Sequence, residues 1–290
     1  MPEAFGIVDT HLHIWDPGRL TYPWHKMLPQ FDRPMLLDDY RAACGNIAVD
    51  AMVFIECFAE RSLCEDEVRF ADALSKTDPR IKAIVMQAGV DDGDGIRPLL
   101  ERMTRQMPLL RGVRRAVTFE PDADVLLRPG IVAGVGALAD YDLSFEITAS
   151  HRQIAHVPEF ADKVGDVQLV LDHCGKPAIR EGLFAEWREN IMAIARCPNV
   201  VCKVSDLPGE ADHANWTAEQ LRPYVDTMIE AFGFGRLVYG GDWPVCTLAT
   251  SLRGWKSFLD DALVGASEAD RTAFYRNNAI DVYRLDLAKA

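Results

Sequence analysis

Short β-branched runs alternate eight times with longer amphipathic stretches along this chain, and that count constrains the fold more than any other feature. Runs at 5–9, 50–57, 81–88, 112–118, 143–148, 167–172, 200–204 and 237–241 read as strands. Helical patterns at 37–44, 62–76, 94–107, 129–139, 152–163, 184–196, 217–232 and 249–262 separate or follow them. Eight strand–helix units are the number that closes an α/β, (β/α)8 TIM barrel. A further C-terminal helix near 267–281 is expected outside the barrel or across its base. The rival, an open doubly wound sheet, would carry a Gly-rich phosphate turn after its first strand. That position holds His11-Leu12-His13-Ile14-Trp15-Asp16 instead. With no internal repeat, low-complexity tract or dividing linker, residues 1–290 are expected to form one domain.

Composition narrows the function classes. A net charge of −13 argues against a nucleic-acid footprint, which needs clustered Lys and Arg on one face. No apolar run approaches the roughly 20 residues that span a bilayer. Met1–Phe5 is too short and uncharged for a secretory signal, so a cytoplasmic location is expected. Seven cysteines without a CxxC spacing fit free thiols in a reducing compartment better than a disulfide frame.

The chemistry should gather where the strands end, because barrel enzymes build their sites at the carboxyl ends of the strands. His11 and His13 follow the first strand, and side chains two apart on a strand share a face. Glu56 ends the second, Arg114 or Arg115 lies around the fourth and His151 just beyond the fifth. His173, Lys203 and Asp242 close the sixth, seventh and eighth. Each has a structural alternative: Asp172-His173 suits a turn, and Asp242-Trp243-Pro244 an N-cap before a first-turn proline. Together they supply imidazoles and a carboxylate suited to one Zn2+ or Mn2+ ion with room for water. Without metal, the same histidines would donate to a developing oxyanion while Asp242 acts as base. The irregular stretch from Trp15 to Pro34 is long enough to wall or cover the pocket.

The residues Val8-Asp9-Thr10-His11-Leu12-His13-Ile14-Trp15-Asp16-Pro17, with Tyr22-Pro23-Trp24, resemble the opening of the amidohydrolase-related sugar lactonases of the L-fuconolactonase and L-rhamnonolactonase group. The likeness continues through Val170-Leu171-Asp172-His173-Cys174-Gly175-Lys176-Pro177 and Tyr239-Gly240-Gly241-Asp242-Trp243-Pro244-Val245-Cys246. It implies a distorted barrel that opens an aldonolactone, such as L-fucono- or L-rhamnono-lactone, to its hydroxy acid. By that analogy His11, His13, His173 and Asp242 line the reacting centre, with or without a divalent ion. Trp15, Trp24, His25, Lys203 and Trp243 would recognise a hydroxylated ring, and Arg114 would clamp a carboxylate. Glu56 and His151 match weakly and are included as substrate contacts. The expected partner is a small lactone, with no nucleic acid or membrane, and an oligomer stays open. Decarboxylation or lactone isomerisation on the same barrel is the alternative reaction, and a silent binding protein the alternative class.

Overall fold

A computed structural model of the chain describes residues 5–290. Eight parallel strands run in sequence order: β1 (Ile7–Leu12), β2 (Val49–Ile55), β3 (Ile81–Gln87), β4 (Leu110–Arg114), β5 (Ser144–Ile147), β6 (Leu169–Leu171), β7 (Val200–Val204) and β8 (Leu237–Tyr239). Eight helices alternate with them: α1 (Leu37–Cys44), α2 (Cys64–Thr77), α3 (Arg97–Gln106), α4 (Pro129–Gly136), α5 (Val157–Val164), α6 (Phe184–Ile194), α7 (Ala218–Phe232) and α8 (Leu252–Ala262). The architecture is a nearly closed (β/α)8 barrel. Closure between the last strand and the first is made beyond β8. There His11 C=O accepts from Asp242 N–H at 2.8 Å, and Trp243 C=O accepts from His13 N–H at 2.9 Å. The seam of the barrel therefore runs through the His11–His13 and Asp242–Trp243 segments.

Alternation along the strands divides the apolar residues between two clusters. Met52, Phe54, Ile84 and Met86 join the large cluster under the helices, while Val53, Ile55, Ala83 and Val85 line a second cluster with Val8, Val170, Val201 and Val238. The second cluster is closed by Ala279, Ile280, Val282, Tyr283 and Leu285, so the C-terminal segment lies across the barrel's base. The single helix expected near 267–281 is three pieces: α9 (Glu268–Thr272), a π-helical turn (Ala273–Asn277) and α10 (Asn278–Val282). In the π turn, Arg276 reaches back to the Gly6 carbonyl at 2.9 Å and to Asp50 at 2.5 Å. Those tertiary contacts accompany the departure from the regular α-helical repeat.

β1 ends later than expected, at Leu12 rather than residue 9, which puts His11 on the strand. A register shift between Asp9 and Leu12 accompanies the change from Val8, in the barrel-lining cluster, to His11 and His13. The loop from Trp15 to Pro34 holds two 3-10 turns (Pro23–Lys26 and Pro29–Phe31) and is pinned by backbone pairing of Trp15 with Met35. Serine and threonine caps start the late helices: Thr217 accepts from Gln220 N–H, and Ser251 from Gly254 N–H.

Candidate active site

His11, His13 and Asp242 form a tight triangle at the barrel seam. The two Nε2 atoms are 3.1 Å apart, and each lies 3.4 Å from Asp242 Oδ1. Ligands bound at 2.0–2.2 Å to a tetrahedral ion sit about 3.4 Å from one another. The spacing thus fits a divalent cation. His173 extends the group, with its ring 4.6 Å from that of His11.

Backbone geometry places these groups. Asp242 has a left-handed φ of 52°, and the Gly241 N–H before it donates to Asp9 Oδ1 at 2.7 Å. A Cβ on Gly241 would come within 2.5 Å of Asp9 Oδ2, so only glycine fits. Tyr40 OH holds the other Asp9 oxygen at 2.9 Å. His173 likewise has a φ of 52°, and its Nδ1 is 2.9 Å from Ser205 Oγ.

The far nitrogens decide what each ring presents. His13 Nδ1 sits 3.0 Å from the Ile55 carbonyl, an acceptor, so the proton resides there and Nε2 carries a lone pair. His11 Nδ1 faces both a donor, Lys203 Nζ at 3.2 Å, and an acceptor, Asp172 Oδ1 at 3.5 Å. Either tautomer of His11 is therefore satisfied. Burial lowers all three imidazoles: His13 to about 4, with the Arg114 charge adding to the fall, and His11 and His173 well below the ordinary value. Burial also raises Asp242 to about 8, against the pull of Lys176 and Arg114. Unprotonated imidazoles are ready ligands, and a cation would release the carboxyl proton.

Beneath His11 lies a buried charge network. Lys203 Nζ contacts Glu146 Oε2 at 2.5 Å and Asp172 Oδ1 at 2.9 Å, and Tyr283 OH donates to Glu146 Oε1 at 2.6 Å. Arg114 joins Glu56 at 3.1 Å and Asp172 at 3.2 Å, and donates to Thr148 Oγ1 at 2.8 Å. Burial alone would favour a neutral Asp172, but Lys203 and Arg114 hold it well below the carboxylate range. Burial pushes Glu146 upward, with Lys203 opposing and Asp172 adding to the rise.

Beside His13 a cavity of about 660 Å³ opens, and Trp15 and Trp24 line it. The other residues expected to touch substrate lie elsewhere. Lys203 is fully buried in the charge network, and Arg114 is already matched by two carboxylates, one of them Glu56. Glu56 Oε2 also accepts the Phe58 N–H at 2.7 Å. His25 is buried against Tyr22, Trp24 and Trp15, with Nδ1 3.5 Å from Asp32. The Trp243 ring packs on Tyr40, and its peptide with Pro244 is cis. His151 is half-buried in the turn after β5, outside the ligand-type clusters found among the described residues.

Several contributors escaped the sequence reading. Glu146 projects from within β5, and Ser205 follows β7. Asp206, with a left-handed φ of 52°, groups with His173 and Asp242. A charged residue inside the apolar run of β5 was the available signal for Glu146. Ser205 closes a run, Pro198 to Ser205, that shares the family likeness, but no spacing rule gives it a role.

Comparison with known proteins agrees with this geometry. The Amidohydrolase family profile matches residues 8–285. An L-fucono-1,5-lactonase of Burkholderia multivorans is 32% identical over 291 residues, covering 96% of each chain. A second L-fucono-1,5-lactonase, from Burkholderia ambifaria, is 26% identical with 96% of each chain covered. A crystal structure of an amidohydrolase from Burkholderia multivorans with bound zinc superposes with a TM-score of 0.86 at 30% identity, covering 97% of this chain and 100% of that one. A profile match over nearly the whole barrel, together with the seam of histidines and aspartate, means that this chain belongs to the Amidohydrolase family.

Proposed function

We propose that this protein hydrolyses the ring ester of a small lactone to the open hydroxy acid. The observation that carries the reading is the triangle of His11 Nε2, His13 Nε2 and Asp242 Oδ1, with His13 also lining a cavity of ligand size. The names of the lactonase relatives point to the same reaction class and make aldonolactones the first substrates to try.

A lactone carbonyl needs a polariser, an attacking water and a base. A divalent ion at the triangle, zinc first and manganese next by donor type, would polarise the carbonyl and acidify the water. Asp242 as carboxylate takes the water's proton while the water oxygen bonds to the carbonyl carbon. The ring C–O bond then breaks, and Asp242 returns the proton to the departing alkoxide. His173, hydrogen-bonded to Ser205, would steady the developing oxyanion.

The test is acid release from a lactone panel followed with a pH indicator, before and after chelation and zinc restoration. Asp242→Asn should lower kcat/KM about 10³-fold with the fold intact. Activity within a few-fold of the parent would overturn the assignment of Asp242. Turnover that survives exhaustive chelation would give the oxyanion to the imidazoles alone.

A further inference from the structure

The cavity beside His13 is walled by carbon. Trp24, Met27, Leu28, Phe58, Phe119 and Val245 form most of it. The polar atoms of the two lining tryptophans are already engaged: Trp24 Nε1 donates to the Cys57 carbonyl at 2.8 Å, and Trp15 Nε1 to the Phe31 and Arg33 carbonyls at 3.1 and 3.0 Å. Only their ring carbons are left to meet a ligand. Phe58 is held in a left-handed φ of 55° by the Glu56 carboxylate, and the Arg114 guanidinium lies 5.1 Å from its ring centre. A non-glycine residue kept in that region points to a site where ring position matters.

The rim has the same character. Phe119 is 80% exposed and Met27 73%, and both border this cavity. Large apolar side chains left in water around a concave site mark a surface that binds apolar matter. Hydrogen-bonding capacity is sparse by contrast. Gln87 lines the wall with a carbonyl oxygen that has no partner among the described residues, and Lys26 is exposed at the edge. Arg114, the nearest buried cation, is matched by Glu56 and Asp172. A polyhydroxylated ring entering here would leave several hydroxyls without partners, each at a desolvation cost.

We propose that the lactone taken by this site carries an apolar substituent, an alkyl chain or an aryl ring, that fills the cavity between Trp24, Phe58 and Phe119. This rests on the lactone-hydrolase reading above and specifies its substrate class. The ester carbonyl lies at the His11–His13–Asp242 group, and the substituent extends past His13 toward Met27 and Phe119.

The experiment measures kcat/KM for δ-lactones bearing hydrogen, methyl, propyl, pentyl or phenyl on the ring, beside L-fucono-1,5-lactone. The expected result is a rise of about fourfold per buried methylene until the cavity is full, with the hydroxylated lactone at the bottom. The double variant Met27→Ser, Phe119→Ser should flatten that slope to about twofold or less, by loss of apolar wall. Both side chains are largely exposed, and far-UV circular dichroism confirms the fold. A preference of tenfold or more for L-fucono-1,5-lactone, or no dependence on chain length, overturns the proposal. Binding of the matching δ-lactams, read by tryptophan emission and its loss in Trp24→Phe, separates the two readings. Tight binding of pentyl and phenyl lactams with no lactone turned over would sustain the apolar pocket and sink the hydrolase. Equal or tighter binding of a hydroxylated lactam would sink the pocket.

Discussion

The floor beneath His11 and the wall beside His13 border the same reacting group with opposite chemistries. In the floor, Lys203, Arg114, Glu56, Glu146 and Asp172 are buried and satisfied almost wholly by one another. The wall presents ring and thioether carbon to an open cavity, with two side chains reaching into water. A buried network of paired charges tolerates little change, because each group is neutralised by its neighbours in a medium that punishes an unpaired ion. An apolar wall tolerates substitution and sets what fits. On the reading proposed above, the floor orients the imidazoles and the wall selects among ligands.

The contrast breaks most sharply at Lys203. Lys203→Met leaves Glu146 and Asp172 facing each other without their shared cation, and should cost about 3–5 kcal/mol in urea unfolding. A loss under 1 kcal/mol would mean that the floor is not held by charge. Ser205→Ala probes the next level, since the residue touches His173 and not the cavity. It should lower kcat about 10- to 100-fold by loosening His173, with zinc affinity in a competition titration and the order of substrate preference unchanged.

The pH dependence of metal-free protein gives a smaller effect with a defined sign. Between pH 3.8 and about 8 the folded state keeps the Asp242 proton that the unfolded chain has released, so stability falls as pH rises. Between about 4 and 6.5 the unfolded chain binds a proton that buried His13 refuses, so stability rises with pH. The two oppose each other below 6.5, and above it Asp242 acts unopposed by His13. The melting temperature of chelated protein should decline from pH 6.5 to 8, and Asp242→Asn should make the decline shallower, leaving the part that Glu146 contributes with the same sign. The smallest change is expected for His151→Ala, which lies outside both regions: kcat/KM within about twofold of the parent. A tenfold loss there would extend the site past β5.

Much of this was legible in the sequence. Eight alternations marked the barrel, and an imidazole pair two residues apart, an Asp-His after β6 and Gly-Gly-Asp after β8 marked the seam. What escaped depends on facing. His151 was taken for the contribution of the fifth strand because it follows that strand in order, while Glu146 within β5 is the residue that turns inward. Lys203 and Arg114 were read as substrate contacts because a strand-end cation suits an anion. Their partners Glu146, Glu56 and Asp172 come from other strands, so the neutralisation shows only once the barrel is closed. The apolar wall draws on loops after β1, β2, β4 and β8, and no local spacing joins Met27 to Phe119.

The C-terminal segment that covers the barrel base also has a bearing on biosynthesis. Arg276 binds the carbonyl of Gly6 across 270 positions, and Tyr283 supplies the hydroxyl on Glu146. A ribosome delivers those partners long after β1 has emerged, so a nascent polypeptide that already owns every ligand-bearing imidazole still lacks its bottom plug. The floor under His11 is therefore completed only once the stretch through Tyr283 has been made, well after the imidazoles above it.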